Sequence, residues 1–201
     1  MPNHCSNSLT VTGPDAEKFF EAVSKSDTHD FIGYLIPMPV EITAISTGSC
    51  TIDGERVEKW REIDGKNVKV SELDLQHIAD LYGTADWYTW ANTHWGTKWG
   101  AYDVDIAAPR ILFDSAWSPP LPAIETISAM FPHARFVVAY AEGGSCFYGT
   151  AVFDAGHCVA REESDEFWKP EADFEGEGDI YDSLTDECRA HVEEHGLHTG
   201  G

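Results

Sequence analysis

Along SLTVTG (residues 8–13) polar and apolar residues alternate and the run ends at Gly13-Pro14, the pattern of a strand with one buried face. The period then lengthens: Ala16, Phe19, Phe20 and Val23 recur at helical spacing behind Asp15, which stands where a helix cap belongs, until the polar run 24–30. FIGYLIPMPVEI (31–42) is apolar but interrupted by Pro37 and Pro39, which favour extended chain over helix. In residues 44–70, Gly48, Gly54 and Gly65 punctuate short polar segments, with Val57, Trp60 and Arg61 at helical spacing. Ser71, with Asp74 standing in for the glutamate of a capping box, opens a helix through Leu75, Ile78, Ala79 and Tyr82 to Gly83. A further helix over about 85–94 carries Trp87, Trp90 and Ala91 and stops at Gly96.

The period of two returns at Tyr102, Val104 and Ile106, and after an Ala-Ala-Pro-Arg turn the run ILFDSAW (111–117) completes a hairpin. Leu121, Ile124, Ile127, Ser128 and Phe131 predict a helix ending at Pro132, succeeded by strands RFVVAYA (135–141) and CFYGTAVF (146–153) around Gly143-Gly144. With the middle excursion set aside, the order is that of an α+β, ferredoxin-like fold: an antiparallel sheet with helices on one face and an added hairpin strand. The predicted organisation is a domain over 1–160, with a mainly helical insertion after the first helix at about 44–96, and an acidic extension over 161–201.

Charge changes this picture most. The chain of 201 residues carries 35 acidic and 13 basic side chains, a net −22. Fourteen acids but only three bases lie in the last 41 residues. In REESDEFWKPEADFEGEGDIYD (161–182) carboxylates interleave with aromatics, while Gly and Pro discourage regular structure, so an extended acidic strap is expected. Behind it, Ser183 is placed to cap a short helix carrying Leu184, Cys188, Val192 and His195, with Gly196 as its stop. A charge of this sign repels nucleic acid, whose binding depends on Lys and Arg displacing counterions, and favours basic protein surfaces. Solubility alone is the competing explanation. No apolar run has the length of a membrane helix, and the amino terminus has no signal-peptide pattern, which predicts a cytoplasmic protein. Five cysteines without a CxxC pair argue against a disulfide framework or zinc ribbon.

Several constellations carry candidate chemistry. In WANTHWGTKWGAYD (90–103), Trp95, Lys98, Trp99 and Tyr102 offer stacking plates and a cation for a nucleotide or other small molecule, or else anchor a loop to the sheet. Cys188, His191 and His195 share a helical face at zinc-ligand spacing. Asp103, Asp105 and Asp114 alternate on the hairpin, as for a divalent ion or a solvated face. Cys5 beside His4, and Cys146 after Gly-Gly-Ser, are thiol candidates without a recognisable catalytic signature. Trp117-Ser118-Pro119-Pro120 fits a helix start better than a recognition motif. No cofactor and no catalytic residue is indicated.

Four short motifs in order, PNHCSNSLTVTGP at the start, LIPMP (35–39), WGTKWGAYDV (95–104) and FDSAWSPPLPAIETIS (113–128), resemble the YubB-type ferredoxin-like proteins of phages and plasmids. The resemblance spans about residues 2–156, departs at His4, where that family often has Trp, and leaves the acidic extension uncovered. It implies a ferredoxin-like fold without an iron–sulfur cluster in an accessory protein of a mobile element, and it carries over no catalytic residues. Charge and resemblance together predict a non-catalytic protein that binds a basic host protein, such as a nucleic-acid-binding defence complex of the CRISPR or restriction type, as a DNA mimic. The expected contact residues are Glu162, Glu163, Asp165, Glu166, Glu171, Asp173, Glu175, Glu177 and Asp179, with Phe167 and Trp168 as apolar anchors.

Overall fold

A computed structural model describes residues 3–26, 29–169 and 180–199, apart from the side chains of Thr47 and Ile180. In chain order the elements are β1 (His4–Thr12), α1 (Ala16–Val23), α2 (Phe31–Leu35), α3 (Val40–Thr43), β2 (Ser46–Ile52), β3 (Glu55–Ile63), β4 (Lys66–Lys69), α4 (Glu72–Tyr82) and α5 (Trp87–His94). Next come β5 (Tyr102–Ala107), β6 (Arg110–Ala116), α6 (Leu121–Met130), β7 (Arg135–Glu142), β8 (Phe147–Asp154), β9 (His157–Ser164), a 3-10 turn (Ile180–Ser183) and α7 (Asp186–His195). The chain divides into two compact units, Met1–Ile36 with Trp95–Gly201, and Pro37–His94.

The first unit is built on a six-stranded antiparallel sheet in the order β5-β6-β1-β7-β8-β9. Its four strands β5-β6-β1-β7, with α1 and α6 packed on the sheet, have the ferredoxin-like βαββαβ arrangement, to which β8 and β9 are added. β1 and β7 are central, and their sequences say why: residues 5–9 of β1 and residues 138–142 of β7 are all buried, so both faces need cover. On one face Phe19 of α1 meets Phe136 of β7 edge-on at 5.3 Å, and Phe31 of α2 meets Phe113 of β6 at 5.1 Å. α6 buries Ala123, Ile124 and Ile127 and packs on β7, β8 and β9. Buried Asn7 on β1 has its amide nitrogen within hydrogen-bond reach of Cys5 O, Phe113 O and Ser115 Oγ, so its side chain finds partners within the sheet.

The pleat sends Ala139 and Ala141 of β7 to the same face as each other. There they join Phe167, Leu184, Cys188, Val192 and Leu197 in a second core. The carboxy-terminal segment thus adds a helix, α7, to the face that α1 and α6 leave open. Two expected caps differ. Thr185, not Ser183, caps α7 by accepting from Cys188 N at 3.2 Å. Asp15 makes no side-chain cap; its carboxylate instead accepts from His133 N at 3.0 Å and pairs with Lys18. That ties the start of α1 to the turn before β7.

β9 extends the sheet through Glu162, Glu163 and Ser164, which the sequence assigns to the strap. Its residues 157–163 are all exposed, so an edge strand of this kind has no hydrophobic alternation to betray it.

In the second unit, α4 starts at Ser71, whose hydroxyl accepts from Asp74 N, and ends at left-handed Gly83, as its pattern predicts. Residues 46–69, however, form a three-stranded meander, β2-β3-β4, where helical spacing is expected. Two Asp-Gly pairs make the turns: Asp53-Gly54 with φ 51° and 83°, and Asp64-Gly65 with φ 51° and 74°, both in the left-handed region that a tight hairpin needs. One face of β3 carries Val57, Lys59 and Arg61, and the two cations are paired with Asp86 at 3.0 Å and Asp74 at 3.6 Å. A period of two is present, but charged residues occupy much of it.

Candidate functional site

The acidic segment begins on β9, and its carboxylates are not equivalent. Gly149 sits between Tyr140 and Glu163 across three paired strands. A Cβ there would run into Glu162 O and the Tyr140 hydroxyl, so only glycine lets the phenol reach across to Glu163 Oε2 at 2.8 Å. Arg161 Nη2 meets the same oxygen at 2.8 Å. Burial works against the Glu163 charge, but the bonds from Arg161 and Tyr140 outweigh it and hold the carboxyl below its ordinary range. Burial and the same carboxylate push the Tyr140 phenol up to about 12. Glu163 is therefore committed within the fold.

Glu162, Glu163 and Ser164, with Tyr148, Thr150 and His191, line a shallow cavity of about 290 Å³. Asp165 and Glu166 are exposed at the strand's end. Phe167, expected as a partner's anchor, has no exposed surface: it fills the second core, and its backbone carbonyl accepts from Thr185 N at 3.1 Å. Trp168 is half-buried, stacked at a tilt on Phe167 at 4.7 Å, with Nε1 donating to Gly143 O at 3.1 Å. Both aromatics hold the segment to its own sheet, as expected of large apolar side chains beside a core with room for them. Glu171, Asp173, Glu175, Glu177 and Asp179 lie outside the described residues.

The aromatic stretch is a brace rather than a pocket. Trp95 is buried and donates Nε1 to Ile36 O at 3.0 Å, which removes it as a stacking plate. Lys98 lies over the Trp99 ring at 4.6 Å. Buried Thr97 accepts from Ala116 N at 3.0 Å and donates to Ala116 O at 2.7 Å, fastening the loop to the end of β6. Asp30 Oδ1 accepts from Gly33 N and Ala101 N, both at 2.9 Å, and a Cβ at Gly100 would collide with that carboxylate. The quartet Trp95, Lys98, Trp99 and Tyr102 thus does not enclose a ligand.

Neither does the terminal helix form a metal centre. Burial pushes the Cys188 thiol up to about 12, His191 Nε2 is bonded to Tyr140 O at 3.3 Å, and His195 packs edge-on against His191. Among the described residues no three His, Cys, Asp or Glu side chains converge on an ion site, the hairpin aspartates included. Cys5 is wholly buried and its thiol is raised by burial, unlike an activated nucleophile.

Two features have no counterpart in the sequence expectations. Asp114, nearly buried on β6, accepts from His198 at 2.8 Å and lies 3.6 Å from His4, while Tyr102 Oη contacts His4 Nδ1 at 3.1 Å. His198 N also donates to Ser6 Oγ, and Gly143 N to Thr199 O, so this cluster latches the carboxy-terminal segment onto the sheet. The hydrogen bond to Asp114 raises the His198 pKa. Sequence distance, 84 residues between Asp114 and His198, hides the pairing. The second feature is Trp117, which is 46% exposed with φ +73°.

Residues 94–184 match the family model described as a ferredoxin-like domain in Api92-like protein. The ferredoxin-like character of this part of the chain, seen in the strand order, therefore has an independent witness in sequence. A crystal structure of a protein api92 from Yersinia pseudotuberculosis is similar at 14% identity, covering 82% of this chain and 98% of that one, with a TM-score of 0.44. No curated protein matches the chain. Among the described residues no helix is long and apolar enough to cross a membrane.

Proposed function

We propose that the protein is a non-catalytic, acidic accessory protein of the YubB-like phage or plasmid type that binds a basic host protein and blocks its nucleic-acid-binding surface, as in anti-CRISPR or anti-restriction inhibition. The observation that carries this reading is where the excess charge sits. Glu162, Asp165 and Glu166 at the free edge of the sheet, and Asp186, Glu187, Glu193 and Glu194 on α7, are all exposed, within a chain of net charge −22. Exposed carboxylates in such excess raise a negative potential that steers basic surfaces to the protein and keeps nucleic acid away. Phe167 and Trp168 serve by holding the start of the acidic segment in place, and Glu163 by bracing β9, so this reading rests on the carboxylates that the fold leaves uncommitted. The test is a Glu162→Gln, Asp165→Asn, Glu166→Gln variant, compared with the wild type for affinity to a basic double-stranded-DNA-binding protein. A loss of roughly three- to thirtyfold is expected from three partly screened contacts; unchanged affinity would sink the assignment of the site.

A further inference from the structure

Trp117 combines two unfavourable properties. An L-residue at φ +73° crowds its Cβ against the backbone, a conformation in which glycine is at ease and a bulky side chain is rare. A tryptophan 46% exposed also leaves much of its apolar surface in water.

The neighbouring chain enforces this conformation at every step. Thr97 Oγ1 holds both backbone groups of Ala116. Trp117 N donates to Asn3 O at 3.0 Å. Ser115 Oγ donates to Ser118 O, and Ser118 Oγ to Gly96 O, each at 2.7 Å. Buried Pro119 and Pro120 then set the chain's path into α6 through their ring-locked φ angles. Strained residues that their surroundings over-determine cluster at functional sites. Here the strain presents an indole to solvent.

The register places Trp117 at the same end of the sheet as the acidic segment's departure from β9. His4 pairs with Ala116, Ser6 with Ala141, and Tyr148 with both Ala141 and Ser164, so Trp117 leaves β6 at the end of the sheet where Asp165 and Glu166 leave β9. Four strand spacings separate the two positions, about 19 Å.

We propose that Trp117 is the aromatic anchor of the partner interface, taking an arginine or lysine side chain of the basic partner onto its ring while the carboxylates of Asp165 and Glu166 on the same rim, and of Glu162 further along β9, engage further cations. This rests on the acidic-surface reading for the partner's sign of charge. A guanidinium suits the site because it gains from the face of the indole and from the negative field together.

The probe is a fluorescently labelled nona-arginine peptide, whose extended length of about 30 Å spans the rim. Its affinity is measured by anisotropy for the full chain, for Trp117→Gly, for Trp117→Leu, and for the Glu162→Gln, Asp165→Asn, Glu166→Gln variant. Trp117→Gly relieves the strained φ, so it is expected to melt no lower than the wild type while binding roughly tenfold more weakly. Trp117→Leu, which keeps an apolar side chain but removes the π face, should weaken binding similarly. Wild-type affinity in either Trp117 variant overturns the proposal. If the Trp117 variants bind normally and the charge variant binds weakly, the anchor fails and the acidic reading stands; the reverse pattern retains the anchor and removes the carboxylates.

Discussion

Replacing Phe167 with alanine separates the two roles open to an aromatic residue in an acidic segment. Its side chain has no exposed surface and packs with Ala139, Ala141, Leu184, Cys188, Val192 and Leu197. A phenylalanine buries on the order of 150–200 Å², which at about 25 cal/mol per Å² gives roughly 4–5 kcal/mol. Alanine retains part of that burial, while the cavity left behind adds a further cost, so about 4 kcal/mol is expected for Phe167→Ala, within the usual range for such truncations. For a chain of this size that corresponds to a fall in Tm of roughly 8–16 °C. Thermal unfolding followed by near-ultraviolet circular dichroism measures it, and peptide affinity well below the new Tm is measured alongside. The expected result is large destabilisation with affinity little changed. A variant as stable as the wild type that had lost binding would place Phe167 at the interface and refute its assignment to the core.

Other consequences are more local. Asp30→Ala leaves Gly33 N and Ala101 N without their acceptor, an expected cost of roughly 2–5 kcal/mol by urea denaturation, whereas Asp30→Asn retains an acceptor. Burial raises the Asp30 pKa, so the carboxylate's charge costs stability once ionised, and the Asn variant should be closest to wild type, or above it, at neutral pH. His198 has its pKa raised from 6.5 by Asp114, so its contribution is complete below 6.5 and lost as pH rises through the raised value. His198→Gln should therefore lower Tm more at about pH 5.5 than at about pH 8.5, by less than about 1 kcal/mol given its exposure; equal effects at both would refute the ion pair. The comparison is made against wild type at each pH because burial lowers the His191 and His195 pKa values, a contribution of opposite sign.

The strands and helices of the ferredoxin-like core are legible in the sequence because each buries a periodic face, as in Phe19 and Val23 or Ile124 and Ile127. β3 is not, because Lys59 and Arg61 share a face with Val57 and owe their place to Asp86 and Asp74. Its Asp-Gly turns are the available signal, and they carry more weight than a three-residue helical spacing. At the candidate site, exposed carboxylates can be named from composition, but not sorted: only the approach of Tyr140 over Gly149 sets Glu163 apart from Glu162. Phe167 and Trp168 look like free anchors only while the alanines of β7 and the residues of α7 remain distant in sequence. Trp117 reads as part of a strand and a Pro-Pro helix start, since backbone φ leaves no trace in hydropathy.

The proposal is that the exposed carboxylates engage the nucleic-acid-binding surface of a basic protein. Its most direct measurement is the affinity of the full chain for a basic double-stranded-DNA-binding protein across a salt series, with duplex DNA as competitor. The predicted result is binding that weakens steadily with salt and is displaced by DNA, with the charge variant showing a shallower salt dependence. Binding insensitive to salt and undisturbed by saturating DNA, or no binding at low salt, would contradict it.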